Sequence, residues 1–217
     1  MEKITANNWV VNVVRFGYKM PFKFKPIQLK IPYNPKSSPE AFSVLQEEAF
    51  GLFEKGAIKK VLKESGQFIS SYFAVPKPRS SKWRLILNLK KFNFNIKHYS
   101  FKMKNIAKVR EWIQPNFYVV SLDLKDQFLS VPIAKKFRKF LHFQWLGDLL
   151  EWQVLPFGLK YSPRVVTKLL KPVLALLRSN FGILISVYMD DLILQANTQE
   201  EVFLHAQITI LVLLVGS

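Results

Sequence analysis

Two adjacent carboxylates, Asp190 and Asp191, stand between two apolar runs near the end of the chain. The residues on either side, 183–187 and 192–194, are rich in Ile, Leu and Val and favour strands. The pattern predicts a hairpin that carries both acids at its tip. Since buried carboxylates without a counter-charge are strongly disfavoured, we expect a cation to meet them.

A third acid, Asp123, ends another apolar run over residues 118–124. If the two strands are sheet neighbours, their backbones lie about 4.8 Å apart and the acids can share ions. Hard oxygen ligands suit Mg²⁺, with Mn²⁺ as an alternative. Two ions about 3.5–4 Å apart can activate a hydroxyl and stabilise a leaving pyrophosphate. Paired acids at a turn are more often solvated or structural, but the apolar flanks and the third acid favour the metal site.

A basic hairpin is predicted from strands over residues 72–75 and 82–87, joined by a turn-rich loop. It carries four basic side chains and no acid, namely Lys77, Arg79, Lys82 and Arg84. Such a cluster suits a triphosphate or a nucleic-acid backbone. A solvated cationic loop is the alternative.

The chain of 217 residues carries 32 Lys and Arg against 15 acids, a net charge of +17. The basic residues are dispersed, which favours a globular body that binds a polyanion over a basic tail. A basic surface that serves only solubility is the alternative. The absence of cysteine excludes disulfides, thiolate zinc sites and cysteine nucleophiles. No signal peptide is recognisable, and the most apolar run, 208–215, is far shorter than the roughly 20 residues that span a bilayer.

Turn residues and periodicity predict the remaining elements. Residues 1–36, with four prolines, are predicted to be an extended lead-in. Helices are predicted from Ser38 and Pro39 to Gly56, over 103–113, over 162–178 with a kink or break at Pro172, and from Thr198 onward. A third hairpin is predicted around residues 146–148.

Four motifs, in this order, resemble those of reverse transcriptases, and the resemblance covers roughly residues 38–205. Residues 73–77 with 82–84 resemble the fingers hairpin of that family, and 122–133 resemble its first palm motif. Residues 155–163 resemble the motif between the two palm acids, and Tyr188-Met189-Asp190-Asp191 resembles the Tyr-x-Asp-Asp box. Four ordered motifs are far more specific than any one of them.

The resemblance implies an α+β fold, the fingers and palm of a right-hand polymerase with an antiparallel palm sheet. It implies fingers over 37–117 and a palm over 118–217, with an additional fingers segment near 134–154. The family continues with a thumb, whereas this sequence stops at Ser217, so we expect a chain truncated before the thumb. The implied function is RNA-directed DNA polymerisation, by two-metal transfer of a nucleotide to a primer 3′-hydroxyl.

The resemblance also implies roles for single residues. Asp123 and Asp190 would be the principal metal ligands, with Asp191 in the same cluster. The nucleotide would be held by Lys77, Arg84, Asp126, Gln127, Phe128, Phe157 and Gly158. Of these, Asp126 and Gln127 would offer backbone amides to phosphates, and Phe128 would select deoxynucleotides; a core aromatic is the alternative for Phe128. Arg79, Lys82, Tyr188 and Met189 would contact nucleic acid. The family usually has Ala-Tyr where this chain has Gln127-Phe128.

Residues 56–58, 66–77, 101–103 and 163–168 are most similar to the DIRS-type tyrosine-recombinase retrotransposons. The expected partners are an RNA or DNA template with its primer and a deoxynucleoside triphosphate, with no membrane and an open oligomeric state. The expected location is intracellular, cytoplasmic or nuclear. Three alternatives stay open: a viral RNA-dependent RNA polymerase, an inactive nucleic-acid-binding remnant and a basic structural domain. Phe128 argues against the first, because RNA synthesis needs room for a 2′-hydroxyl.

Overall fold

The computed structural model describes residues 5–34, 38–76, 83–101, 106–188 and 190–216. In these residues the helices are α1 (Asn8–Phe16), α2 (Pro39–Glu54), α3 (Lys90–Asn93), α4 (Ile106–Trp112), α5 (Lys135–Arg138), α6 (Ser162–Phe181) and α7 (Gln199–Gly216). The strands are β1 (Ile58–Lys60), β2 (Tyr72–Pro76), β3 (Trp83–Leu87), β4 (Tyr118–Asp123), β5 (His142–Trp145), β6 (Asp148–Trp152), β7 (Leu184–Tyr188) and β8 (Asp191–Ala196). No described helix is long and apolar enough to cross a membrane.

The chain divides into two compact units. The first comprises Met1–Asn12, Tyr99–Gln127 and Pro163–Ser217, and the second comprises Val13–His98 and Phe128–Ser162. In the first unit, β4, β8 and β7 form an antiparallel sheet with β8 in the centre. Alternate residues of β8, such as Leu192 and Leu194, pack against the buried side chains of α6 and α7. The intervening residues of β8 point to the other face of the sheet, because side chains alternate along a strand.

The second unit holds two antiparallel sheets, β1-β6-β5 and β2-β3. A tight turn joins β5 to β6, where Leu146 and Gly147 both have positive φ angles of 47° and 87°. Two consecutive positive φ angles are typical of the hairpin turns that match the twist of paired strands. An aromatic cluster fills the core, with Phe22 centred 5.0 Å from Phe140 and Phe68 centred 5.4 Å from Phe92.

Several predicted elements are confirmed. The Ser38 hydroxyl accepts a hydrogen bond from the backbone N–H of Ala41 at 3.2 Å, with Pro39 at the first turn of α2. The Thr198 hydroxyl caps α7 by accepting from the N–H of Glu201 at 3.1 Å. All three predicted hairpins are present, β2–β3, β5–β6 and β7–β8. Local capping and turn chemistry was therefore sufficient to place these elements.

The prediction of an extended lead-in is wrong for α1. Asn7 caps this helix, since its side-chain oxygen accepts from the N–H of Trp9 at 3.1 Å, and Val10 and Val13 are buried three residues apart. The helix ends at Gly17, whose φ is +80° and whose missing Cβ leaves room for the backbone of Ala134. The four prolines all follow this segment, so they restrict only the chain after it.

Of the kink or break predicted at Pro172, the break is wrong, because α6 continues from Ser162 to Phe181 through this residue. Buried side chains anchor the helix on both sides of the proline, including Val165, Leu169, Val173 and Leu177. Packing of the apolar face outweighs the cost of the proline, about 3 kcal/mol, which combines a lost hydrogen bond with crowding of the preceding turn.

A buried ion pair joins the two strands of the β5–β6 hairpin. The Nδ1 of His142 lies 3.2 Å from Gln67 Oε1, which accepts a hydrogen bond from the N–H of Glu64 at 3.0 Å. The Nε2 of His142 lies 3.0 Å from Glu151 Oε2. Since a carboxylate only accepts hydrogen bonds, this nitrogen donates to Glu151. Burial works to raise the pKa of Glu151, but hydrogen bonds from His142 and Gln153 and the charges of His142 and Lys59 hold it below its ordinary value.

We predict that Glu151→Gln lowers the free energy of unfolding by about 1–3 kcal/mol near neutral pH, because the buried His142 loses its carboxylate partner. The lowered pKa of Glu151 means that its contribution is present above the unfolded pKa of about 4.3 and is lost as the pH falls through the folded pKa. The difference between wild type and variant should therefore close in acid. Urea unfolding followed by tryptophan fluorescence at a series of pH values measures it.

The control is Asp148→Asn in the same hairpin. Asp148 pairs with Lys60 at 2.6 Å, but both side chains are exposed, so we expect a loss below about 1 kcal/mol. A Glu151→Gln difference that stays constant or grows as the pH falls would contradict the buried ion pair.

Candidate active site

Strand register brings the acids of the two palm-like motifs to one end of a sheet. Asp123 at the end of β4 lies directly opposite Asp191 at the start of β8. On the other side of β8, Asp191 lies opposite Tyr188 of β7. Directly opposed residues of an antiparallel pair have Cα atoms about 4.5–5.5 Å apart. The predicted neighbourhood of the two acidic strands is therefore confirmed.

The turn between β7 and β8 carries Asp190 and is tied to the end of β4. The carbonyl of Asp190 accepts a hydrogen bond from the backbone N–H of Leu124 at 2.8 Å. This contact continues the β4–β8 ladder one step beyond Asp123. Backbone hydrogen bonds therefore hold all three acids at this end of the sheet.

The acids lie on the face of the sheet opposite α6 and α7. Leu192 and Leu194 pack against these helices, so Asp191 points to the other face, and Asp123 opposite it does the same. Asp123 and Asp190 are exposed and Asp191 is half-buried. The expectation of buried carboxylates that require a cation for their desolvation is therefore wrong. The apolar residues next to the acids pack on the face that α6 and α7 cover. Asp123 and Asp191 point to the opposite face, which these helices do not cover.

Two neutral side chains already contact these acids. The Nε2 amide of Gln127 donates to Asp190 Oδ1. The Ser121 hydroxyl donates to Asp191 Oδ1 at 3.3 Å. Sequence reasoning missed both contacts. The position of Ser121 beside the acids could have been predicted, because it lies two residues before Asp123 on the same face of the strand. The contact of Gln127 could not, because it depends on a turn that no periodicity describes.

The donor set fits a hard divalent cation. Three carboxylates at one exposed sheet end offer only oxygen ligands, which is the chemistry that Mg²⁺ and Mn²⁺ prefer. Like charges directly opposite each other on neighbouring strands are destabilising. A bound cation would remove that repulsion, so the register that places Asp123 opposite Asp191 is better suited to a metal site than to a purely structural one.

The turn after β4 contains the next predicted residues. Asp126 has a φ of +57°, in the left-handed region that Asp tolerates better than most residues. The backbone N–H of Gln127 donates to the carbonyl of Leu124 at 3.2 Å. The predicted contacts of these two backbone amides with phosphates stay a prediction.

The aromatic residues predicted to line a nucleotide pocket belong to the second unit. The rings of Phe128 and Phe157 meet edge to face with centroids 5.6 Å apart. Gly158 has a φ of +91°, and a Cβ there would lie 3.1 Å from the carbonyl oxygen of Leu87. Asn93 holds this segment, donating through Nδ2 to the Gly158 carbonyl at 2.9 Å and accepting from the N–H of Lys160 at 3.0 Å. Its role was not foreseen from the sequence.

The other predicted contacts fall mainly outside the described residues, namely Lys77, Arg79, Lys82 and Met189. Arg84 lies in β3 opposite Val75, and the description of this residue stops at its backbone. The roles predicted for these five residues stay predictions.

A different group in the described part of the chain has metal-ligand spacing. Glu64, His142 and Glu151 place one ligand atom each within 4.8 Å of one another. The Nε2 of His142 already lies 3.0 Å from Glu151, and the ammonium groups of Lys139 and Lys59 lie 3.8 Å from Glu64 and Glu151, respectively. This group is therefore an ion-pair network of the β5–β6 hairpin and its neighbours.

Comparison with known sequences identifies relatives of this chain. The sequence model of the family described as reverse transcriptase (RNA-dependent DNA polymerase) matches residues 75–214. The Gag-Pro-Pol polyprotein of sheep pulmonary adenomatosis virus is 33% identical over 140 residues, which is 61% of this chain and 8% of the polyprotein. The Gag-Pol polyprotein of bovine immunodeficiency virus (strain R29) is 23% identical over 198 residues, which is 87% of this chain and 13% of the polyprotein. The chain thus spans a small fraction of these relatives.

Solved structures show the same fold. The foamy viral protease-reverse transcriptase in complex with double-stranded DNA matches with a TM-score of 0.68 and 22% identity, covering 90% of this chain and 33% of that one. A prototype foamy virus protease-reverse transcriptase matches with a TM-score of 0.72 and 22% identity, covering 90% of this chain and 25% of that one. These matches establish a polymerase fold of mixed helices and antiparallel sheets.

We predict that Asp123→Asn stabilises the metal-free protein by about 0.2–1 kcal/mol, because it removes one of two carboxylates that face each other across the strands. Urea unfolding in the presence of EDTA measures the change. Since both groups are near solvent, the gain should shrink in about 1 M salt, where the screening length is about 3 Å. A variant less stable than the wild type in EDTA would contradict the repulsion.

Proposed function

The chain belongs to the reverse transcriptase family, and from this premise we propose that it adds deoxynucleotides to a primer 3′-hydroxyl as directed by an RNA template. The observation that carries the proposal is the register of β4 and β8, which sets Asp123 opposite Asp191 and ties the turn at Asp190 to the same strand end. Polymerisation of this kind needs no nucleophilic side chain, so acids at one rigid end suffice.

We propose that the fold serves as fingers over residues 37–117 and palm over 118–217, with an additional fingers segment near 134–154. The sheet β4-β8-β7 with α6 and α7 on one face supports the palm assignment, because it holds all three acids. The β2–β3 hairpin, with basic residues in the connection between its strands, supports the fingers assignment.

Asp123 and Asp190 would hold divalent ions, with Asp191 contributing to the same negative potential. When bound, the ions supply positive charge that favours ionisation of the primer hydroxyl and departure of pyrophosphate. Mg²⁺ is the expected ion, since it binds a few carboxylates together with substrate phosphates. The protein's own part is orientation: Ser121 fixes one oxygen of Asp191, and Gln127 fixes one oxygen of Asp190.

The incoming nucleotide would contact residues of the basic hairpin and of the aromatic pair. Lys77 and Arg84 would bind the triphosphate, since guanidinium and ammonium groups suit phosphate oxygens. Phe128, held edge-on by Phe157, would pack under the sugar and exclude a 2′-hydroxyl. Asp126 and Gln127 would lie beside the phosphates. Gly158 would admit the nucleotide where a side chain has no room.

We also propose that the chain derives from a DIRS-type element. The support is local, from residues 56–58, 66–77, 101–103 and 163–168. The relatives found by comparison are retroviral polyproteins, which share the polymerase family and leave the type of element open.

A second candidate function is nucleic-acid binding without turnover. The observation that favours it is the Gln127 side chain, which donates to Asp190 Oδ1 at the position where the family usually has a small Ala. An amide there competes with an ion for the same oxygen. The basic surface would be unaffected by this contact, so binding would persist.

Primer extension on poly-rA/oligo-dT with Mg²⁺ tests the proposal. The wild type should extend the primer, and Asp190→Asn should reduce extension by at least about 10³-fold, because one carboxylate of the ion-binding set is lost. Asp148→Asn, an exposed acid on the β5–β6 hairpin, should extend like the wild type.

Salt-sensitive binding of the primer–template without extension would favour the second candidate. Equal extension by the wild type and Asp190→Asn would contradict the assignment of the acids. Absence of binding even at low salt would contradict both candidate functions.

A further inference from the structure

Helix α6 carries a second cationic feature, besides the basic hairpin. It lies on the side of the helix that faces away from the sheet. Arg164, Lys168 and Lys171 are spaced by four and three residues, so they form one row along the helix. Buried side chains of α6, such as Val173 and Leu177, lie on the opposite side of the helix and pack towards the sheet. The row therefore points away from the sheet, whereas the acids lie on the far face of that sheet.

Two aromatic rings hold the row in place. The guanidinium carbon of Arg164 lies 4.7 Å from the centre of the Tyr99 ring. The ammonium of Lys168 lies 4.0 Å from the centre of the Trp9 ring, which belongs to α1. A guanidinium stacked on a ring keeps its N–H groups in plane and available at its edge. The two rings thus hold two of the three cations in position, and among the described side chains neither cation uses its N–H groups to bind an acid.

Negative charge is scarce around the row. Neither α6 nor α1 contains Asp or Glu, and in the part of the chain that the structure describes none of the three basic residues has a salt-bridge partner. Arg164 stands in the first turn of α6, where the helix dipole disfavours a cation. Burial lowers the pKa of Lys168, and the charges of Arg164 and Lys171 lower it further. Within the described residues, this cluster of like charges therefore has no carboxylate paired with it.

We propose that the row Arg164–Lys168–Lys171, with Trp9 and Tyr99, is a second nucleic-acid contact that binds the phosphodiester backbone of one strand on the face of α6 opposite the sheet. Seven residues of helix rise about 10 Å, which is close to three steps of about 3.4 Å along one strand of a duplex. The row extends the proposed function, because the strand it binds lies outside the site of nucleotide addition. The row would contact phosphates and not bases, so its binding would have no base specificity.

The test is the salt dependence of nucleic-acid binding. Fluorescence anisotropy with a labelled RNA–DNA hybrid, in EDTA and without nucleotides, compares the wild type with the triple variant Arg164→Gln, Lys168→Gln and Lys171→Gln. Each phosphate contact contributes about 0.9 to the slope of log K against log salt, so the variant should have a slope shallower by about 2.7. The matched control is Lys63→Gln, Lys135→Gln and Lys136→Gln, which removes the same charge from exposed positions of the second unit and should change the slope by less than about 1.

A conservative variant separates charge from folding. Lys168→Arg keeps the cation and should retain the wild-type slope. Circular dichroism should show the triple variant folded, since relief of like-charge repulsion offsets the two cation–π contacts that it loses. Equal slope changes in the triple variant and its matched control would overturn the proposal, as would an unchanged slope in the triple variant. The assay involves no turnover, so loss of primer extension alone would contradict the proposed polymerase function and leave this inference intact.

Discussion

The cross-strand register between β4 and β8 is the constraint on which the site depends. It sets Asp123 opposite Asp191 and, one step further, links Leu124 to the carbonyl of Asp190. A shift of one residue in either strand would turn Asp123 or Asp191 to the helix-covered face and expose leucines in exchange. The apolar contacts of Leu192 and Leu194 with α6 and α7 therefore do two things at once: they stabilise the first unit, and they fix which carboxylates face each other.

The same sheet separates a group of acidic side chains from a group of basic ones. One face ends in three acids with like charges opposed, and the outer side of α6 carries three basic residues with no acid on that helix. Both arrangements are unfavourable in the protein alone, and a ligand of opposite charge would relieve each of them. Functional sites commonly retain such unfavourable arrangements, while ordinary packing elsewhere supplies the stability. Here that packing is the apolar layer between the sheet and its helices.

Much of this was predictable from the sequence because the signals are local. The Ser38 cap, the three hairpins and the strands that end in acids follow from turn residues, capping residues and alternation. The failures have non-local causes: the packed face of α6 outweighs Pro172, and the exposed position of the acids depends on which sheet face the helices cover. The contact of Gln127 with Asp190 joins residues of separate motifs. The rings of Trp9 and Tyr99 reach α6 from distant parts of the sequence, which no periodicity in α6 can reveal.

Mn²⁺ binding, followed by electron paramagnetic resonance of the free ion, tests the central claim most directly. The account predicts that the wild type binds Mn²⁺, that Asp123→Asn and Asp190→Asn each weaken binding by at least about tenfold, and that Glu151→Gln and Asp148→Asn leave it unchanged. Binding that survives in both aspartate variants, or that is lost in Glu151→Gln, would contradict the claim that the β4–β8 register builds a metal site in this chain.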